Sequence, residues 1–399
     1  MGSAVIVDVV RTAGGKRNGR LSGWHPVDLA AETLTALTQR NDLDPAMVDD
    51  VIMGCVMQVG AQSLNVARNA ALAAGFPESV PGVSIDRQCG SSQQAAHFAA
   101  QGVMAGVYDV VIAAGVEAMS MVPMGASVFV QGVGAPYGPR MEARYADAGG
   151  LVPQGISAEL IAERWGFDRE QLDAFSARSQ QRAARATAEG RFEHEIVPVR
   201  SILRDRESGN ITETDEMVTT DEGIRADSTV ETLGRLKPAF KPDGGLVTAG
   251  NSSQITDGAS AALIMSEERA SQLGVRPRAR FHAFALAGVD PIMMLTGPIP
   301  ATQKILERSK LTLDDMDRVE INEAFASVVL AWEHDLRPDM ERVNVNGGAI
   351  ALGHPLGATG TKLLATLVNE LERTGGRYGL HVMCEGGGMA NATIIERLG

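Results

Sequence analysis

Two stretches of this chain resemble two others, and that repetition constrains its fold more than any other feature. Residues 43–53 (LDPAMVDDVIM) and 311–321 (LTLDDMDRVEI) each read as a capped short segment, an acidic turn and a strand. Residues 108–115 (YDVVIAAG) and 378–386 (YGLHVMCEG) each follow a helical stretch. Self-similarity of this kind marks a structural unit built more than once. The 399 residues therefore read as two similarly wound halves with a third segment inserted between them. Within the first half, AVIVDVV (4–10) opens as a strand, and Pro26 starts a helix whose Val27, Ala30, Leu34 and Leu37 share one face. A strand is predicted at 51–53 and a helix at about 61–74. A helix follows Cys89, and DVVIAAG (109–115) is an apolar run suited to a buried parallel strand. Strands alternating with helices make the class α/β.

The texture changes between about 120 and 250. Residues 121–139 (MVPMGASVFVQGVGAPYGP) are rich in Gly, Pro and Met and read as an extended loop with apolar residues exposed for a partner subunit. Two helices follow. The second is predicted to start at Asp168 with Gln171 three residues on, a capping box, and to end near Gly190.

Charge and cysteine content exclude several function classes. Net charge is −13 and no basic stretch rises above scattered Lys and Arg, which argues against nucleic acid as a partner. An anionic substrate needs a local positive site, because the whole-protein field repels it. No apolar run approaches the ~20 residues of a membrane span. The N-terminus reads as a strand and a glycine turn, not a leader. Cys55, Cys89 and Cys384 form no C-x-x-C pair, so no zinc or other metal site is expected, and so sparse a set fits a reducing cytoplasm.

Five stretches carry candidate chemistry. In IDRQCGSSQQAA (85–96), Cys89 sits where a strand turns into a helix. Unpaired N–H groups and the helix dipole there favour a thiolate, which predicts a thiol pKa below its ordinary value. A buried inert cysteine is the alternative. In NVNGGAIALGHPLGATG (344–360), glycines surround His354 with no helical face to fill, the setting of a base more than of a packing residue. The phosphate-loop spacing is absent there. In HVMCEGGGMANATIIE (381–396), Cys384 runs into glycines whose N–H groups could line an oxyanion site, or simply turn a hairpin with NATIIE as the return strand. In INEAFA (321–326), Asn322 and Glu323 stand at a strand's carboxyl end, where α/β proteins bind ligands; a helix N-cap is the alternative. LVTAGNSSQITDGASAA (246–262) is a small-residue loop leading into a helix or strand.

Taken in order, these stretches resemble the thiolase family. An early cysteine is followed by TAGNSSQITDGA, NEAFA, the glycine–histidine motif and CEGGG, and the resemblance runs from VRTAGGKR (10–17) to TIIERL (393–398). It implies a duplicated α/β/α/β/α layered fold with an inserted loop domain. The first half would be 1–120 completed by 251–272, the loop domain 121–250 and the second half 273–399. It implies an acyltransferase that cleaves 3-ketoacyl-CoA with CoA, or condenses in reverse, through an acyl-cysteine. Cys89 matches the nucleophile, His354 the group that takes its proton, and Cys384 the second catalytic cysteine. Asn322 matches the residue holding a catalytic water, and the N–H groups of Cys89 and Gly386 an oxyanion hole. Ser253 and Arg225 match CoA contacts. No cofactor would be bound permanently, CoA being a co-substrate. Homodimers or homotetramers, and a cytoplasmic site with neither membrane nor nucleic acid as partner, are implied as well.

Departures occur at Asp86, Ser92, Gln93, Pro153, Gln154, His381 and Val382, and they bear on acyl specificity. The pattern looks most like actinobacterial degradative thiolases that handle steroid-derived or other bulky acyl groups. Two rival readings are a decarboxylating ketoacyl synthase, against which Cys384 argues, and an inactive lipid-binding relative. The latter is disfavoured by the presence of Cys89, His354, Cys384 and Asn322 together.

Overall fold

In the computed structural model, which describes residues 2–399, one supersecondary unit is built twice and joined edge to edge. The first copy runs β1 (Ala4–Thr12), β2 (Gly15–Lys16), α1 (Pro26–Arg40), β3 (Asp50–Gly54), α2 (Val66–Ala73), β4 (Gly82–Ile85), α3 (Ser91–Met104) and β5 (Val110–Ala118). An insertion follows, with α4 (Pro139–Tyr145), α5 (Gln154–Trp165), α6 (Arg169–Ala188), β6 (Ile196–Val197), β7 (Val199–Arg204), β8 (Ile211–Val218) and α7 (Val230–Gly234). Next come β9 (Thr256–Ser266) and α8 (Glu267–Leu273). The second copy has β10 (Ala279–Gly288), α9 (Pro298–Ser309), β11 (Arg318–Ile321), α10 (Ala326–Leu336), α11 (Ala349–Leu352), α12 (Thr359–Thr374), β12 (Tyr378–Glu385) and β13 (Met389–Arg397).

The main sheet has the order β11-β12-β13-β10-β1-β9-β5-β3-β4. Each half repeats the same pairings. β3 with β5 and β11 with β12 are parallel, while β5 with β9 and β12 with β13 are antiparallel. The halves meet through β1 and β10, antiparallel and touching at Val5 with Arg280 and Ile6 with Ala279. Even the edge strand β4 has an echo, a parallel bridge from Val319 to Val343. The acidic turn of the repeat has the same task in both copies. The Asp49 carboxylate accepts from the N–H of Asp109 and Val110 at 2.7 and 2.9 Å. The Asp317 carboxylate accepts from Arg377 and Tyr378 at 2.6 and 3.0 Å.

Burial follows the strand period. In β5, Val110, Ile112, Ala114 and Val116 face the outer core with α1, while Val111 and Ala113 face an inner core. β1 starts the same way, but a bulge between Ile6 and Asp8 switches the parity, so Val5, Val7 and Val10 share the outer face. The inner core contains α3 and α12 packed together against strands of both halves. Helix α9 covers the outer face of the second half, with α10 packed beside it. The layers are therefore helix, sheet, helix, sheet, helix.

The capping box at Asp168 and Gln171 is present. Other local expectations are corrected. The helix predicted over 61–74 is broken, because Leu64 and Asn65 adopt φ of 56° and 59° and Asn65 caps α2 afresh. The strand pair β7–β8 has no counterpart among the sequence expectations, since Ile211–Val218 (ITETDEMV) lies largely exposed and shows no buried apolar face. The stretch after Ser120 does run over the surface, with Phe129 and Val133 more than 70% exposed (77% and 72%). No helix among the described residues is long and apolar enough to cross a membrane.

Candidate active site

Four loops converge where the parallel strands end, as the α/β rule for ligand sites requires. The first is the turn between β4 and α3. Gln88 takes φ of 48°, an uncommon angle for a side-chain-bearing residue, and the Asp86 carboxylate holds the turn by accepting from the Gln88 N–H at 2.6 Å. The Ser91 hydroxyl bridges it, accepting from the Arg87 N–H and donating to the Gln88 carbonyl. Cys89, next in line, is 6% exposed. The N–H groups of Cys89 itself and of Gly386 point at its sulfur. The expectation of a lowered thiol pKa is overturned. Burial pushes the Cys89 thiol up, and the nearby Cys384 and Glu385 add to it, outweighing both N–H donors. Deprotonation of Cys89 therefore needs a base.

The second loop carries a histidine. His354 follows Gly353, whose φ of 80° and close approach to Thr256 leave no room for a Cβ. The His354 N–H donates to the Gln254 carbonyl and the Thr256 hydroxyl at 3.1 and 3.0 Å. Its Nδ1 lies 2.6 Å from Thr359 Oγ1, and Thr359 Oγ1 is 2.9 Å from the Pro355 carbonyl. A carbonyl only accepts, so the Thr359 hydrogen goes to Pro355 and Nδ1 must carry the proton it donates to Oγ1. Nε2 is left unprotonated, an acceptor, which is the tautomer a base requires. Burial, assisted by Lys362, lowers the imidazole pKa to about 3, so the ring is neutral near pH 7. Lys362 on α12 donates to the Leu352 and Gly353 carbonyls and so fixes the chain entering His354.

The third and fourth loops meet the first two. Asn322 ends β11, with its N–H bonded to the Val382 carbonyl at 3.0 Å. Its amide nitrogen is 3.5 Å from His354 Nε2 and lies near enough to Cys384 to favour its thiolate, while its Oδ1 is buried without a partner. Cys384, fully buried near the end of β12, has its thiol pushed up to about 12 by burial and Glu385. Gly386 opens the turn into β13. The CEGGG stretch turns the hairpin between β12 and β13, with Cys384 at its start.

Two buried carboxylates brace this assembly, and neither was singled out as a brace from sequence. Glu117 accepts from the N–H groups of Val56, Met57 and Gly357 and from the Gln62 amide, tying the exit of β3 to the histidine loop. Glu323 accepts from Ser179, Asn344 and the Ile350 N–H, tying the INEAFA stretch to the same loop. The available signal was an acid inside or beside an apolar strand.

A cavity of about 800 Å³ leads to this cluster. Arg225, exposed, and Lys16 and Arg17 line it, a local positive site on an acidic chain. Ser253 lines it too, its N–H bonded to the Ala324 carbonyl at 2.9 Å. His354, Leu356, Ala324 and Phe325 form its inner end. Neither sulfur lines the cavity. Cys89 belongs to the same buried apolar cluster as Leu356, and Cys384 to that of Ala324 and Phe325. Gln154, one of the departures noted above, stands in the cavity wall beside Met124.

The chain is similar to known proteins along nearly its whole length. The family described as "Thiolase, N-terminal domain" matches residues 4–268, and "Thiolase, C-terminal domain" matches residues 275–397. A steroid 3-ketoacyl-CoA thiolase, FadA6, of Mycobacterium tuberculosis (strain ATCC 25618 / H37Rv) is 50% identical, covering 100% of this chain and 95% of that protein. A 3-ketoacyl-CoA thiolase of Aliivibrio fischeri (strain ATCC 700601 / ES114) is 44% identical with 100% of both covered. Among solved structures, the Bacillus anthracis acetyl-CoA acetyltransferase superposes with a TM-score of 0.89 at 40% identity, covering 100% of this chain and 99% of that one.

Proposed function

The chain belongs to the thiolase family, and from that premise we propose how its site carries the acyl transfer. It is an acyl-CoA thiolase, cleaving a 3-ketoacyl-CoA with CoA into acetyl-CoA and a shortened acyl-CoA, or running the condensation in reverse. His354 Nε2 takes the Cys89 proton, and the thiolate adds to the C3 carbonyl. The N–H groups of Cys89 and Gly386 receive the oxyanion that forms. The C2–C3 bond breaks, leaving the acyl group on Cys89 and an acetyl-CoA enolate. A water held by the partnerless Oδ1 of Asn322, together with His354, stabilises that enolate, and Cys384 protonates its carbon. Incoming CoA then gives up its thiol proton to Cys384 and displaces Cys89 from the thioester, and the released Cys89 thiolate takes its proton back from His354.

Arg225 and Ser253 contact CoA along the cavity, and the cationic trio supplies the local attraction that the net charge denies. We assign residues 1–120 with 251–272 to the first half, 121–250 to a loop domain and 273–399 to the second half. Phe129 and Val133 lie on the loop-domain surface that would pair subunits in a homodimer or homotetramer. Two thiols that must stay reduced support a cytoplasmic location. The wide cavity and the similarity to a steroid thiolase favour bulky acyl groups.

One observation supports this reading above the rest. His354 and Asn322 meet side chain to side chain at 3.5 Å, and Cys384 and Cys89 lie near enough to influence each other's thiols, Asn322 acting on the first and the Gly386 N–H on the second. The test is incubation with straight-chain and ring-bearing 3-ketoacyl-CoA substrates and CoA, followed by peptide mass spectrometry. An acyl adduct on Cys89 is expected, and a label on another residue overturns the mechanism. Cys384→Ala should lose about 10²–10⁴-fold in turnover, and turnover near the wild-type rate would remove its proton-shuttle role.

A further inference from the structure

We propose that Glu385 is a positioning residue for both sulfurs, an enclosed and uncharged carboxyl whose ionisation opposes thiolate formation at Cys89. The inference rests on the roles given above to Cys89 and Cys384. Glu385 ends β12 directly after Cys384. Both of its carboxyl oxygens are buried, and neither has a hydrogen-bond partner. Its Oε1 fills the space over Gly90, where a Cβ would sit 1.9 Å away, so the carboxyl abuts the backbone immediately after Cys89.

The groups facing it are few. The turn before α3 offers Asp86, Arg87 and Cys89, and β12 itself offers Cys384. From β13, Asn391 reaches the Gly90 carbonyl at 3.4 Å and leaves its own Oδ1 unpartnered. Arg87 makes no salt bridge to Glu385. Its Nε is buried without a partner, and its Nη1 turns to the Met389 sulfur at 3.9 Å.

An unpaired carboxylate in such a place is costly, and a protein avoids that cost by keeping the group protonated. Burial raises the Glu385 pKa to about 8, against the partial pull of Arg87. Near pH 7 the neutral acid leaves both sulfurs unopposed. Once ionised it adds a negative charge beside each, and like charge disfavours the thiolate. A reaction that draws on both thiolates in turn therefore tolerates an acid here only in its neutral form, and acquires an alkaline limit from it.

The test measures the rate of Cys89 alkylation by iodoacetamide, mapped by peptide mass spectrometry from pH 6 to pH 10, in the full-length protein. The rate ratio of Glu385→Gln to wild type should be near one at pH 7 and rise to about tenfold at pH 10, one pKa unit of relief for the thiol. A ratio that stays flat in a folded variant overturns the proposal. Arg87→Met keeps Glu385 and provides a second reading should Glu385→Gln fail to fold. With the cation gone, the pH at which wild-type alkylation flattens must move upward, and an unmoved inflection overturns the proposal as well. Alkylation needs no turnover. Absence of an acyl adduct with substrate would thus count against the proposed function, while the pH profiles judge Glu385 alone.

Discussion

A buried imidazole serves as a base only when one nitrogen is held protonated and the other left free. Thr359 does this for His354, because its hydroxyl is committed to Pro355 and can only accept from Nδ1. Thr359→Val should lower kcat by about 10–100-fold, part of the ~10²–10⁴ a positioned base contributes, with KM little changed. Thr359→Ser should restore most of it, and a valine variant with wild-type turnover would refute the tautomer argument. At this scale the sequence was informative where a side chain carries its own chemistry. Cys89, His354 and Cys384 stood out against glycine-rich surroundings. It misled on the Cys89 pKa, since a helix start is visible in sequence whereas burial and the nearness of Glu385 are not.

Among elements, backbone rests directly on backbone around the site. A Cβ on Gly357 would lie 2.7 Å from the Cys55 Cα and from the carbonyls of Gly54 and Val116, none of which can swing aside. The histidine loop thus sits on the ends of β3 and β5 with no side chain between them. Gly357→Ala should cost about 1–3 kcal/mol by overpacking. It should also cut kcat by up to about 10²-fold, because the loop must lift away from Cys89. Urea unfolding and steady-state kinetics would check both, and a variant with native stability and turnover would contradict the close packing. Strands with two buried faces and helices with one apolar stripe were readable by period. β8 was not, because a strand exposed on both faces carries no such signal.

Over the whole molecule, a buried charge cluster fastens the insertion to the sheet. Arg11 of β1 pairs with Asp221 at 2.8 Å and with Glu195 at 2.6 Å, and Lys362 of α12 lies 3.8 Å from Asp221. Asp221→Asn strands buried cations and should destabilise the fold by about 3–5 kcal/mol in urea unfolding. A loss below about 1 kcal/mol would mean that the cluster does not hold the insertion in place. Protons act at the same scale. His97, His354 and His381 are buried and neutral, their pKa values lowered to about 3 by burial from an ordinary 6.5. The unfolded chain then binds the extra protons, so this stability is complete above pH 6.5 and is lost progressively as pH falls toward 3. Glu117, Glu320 and Glu323, raised by burial, act in the opposite sense, so a single-histidine difference isolates the effect. His97→Gln should weaken the fall in stability below pH 6.5 by up to about 1.4 kcal/mol per pH unit, one proton's worth. An unchanged slope would show that His97 is not held neutral.

The amino-acid order alone settled what repetition and periodicity encode: an α/β unit built twice, an insertion of different texture, and reactive side chains set in glycine. These are local properties, written in spacing and residue type. Tertiary structure decided how distant residues share one environment. It decided that Asn322 lies near both His354 and Cys384, that Glu117 braces the histidine loop, and that burial pushes the Cys89 thiol up. Proximity and dielectric arise only when the halves close on each other, so no stretch of the chain read singly contains them.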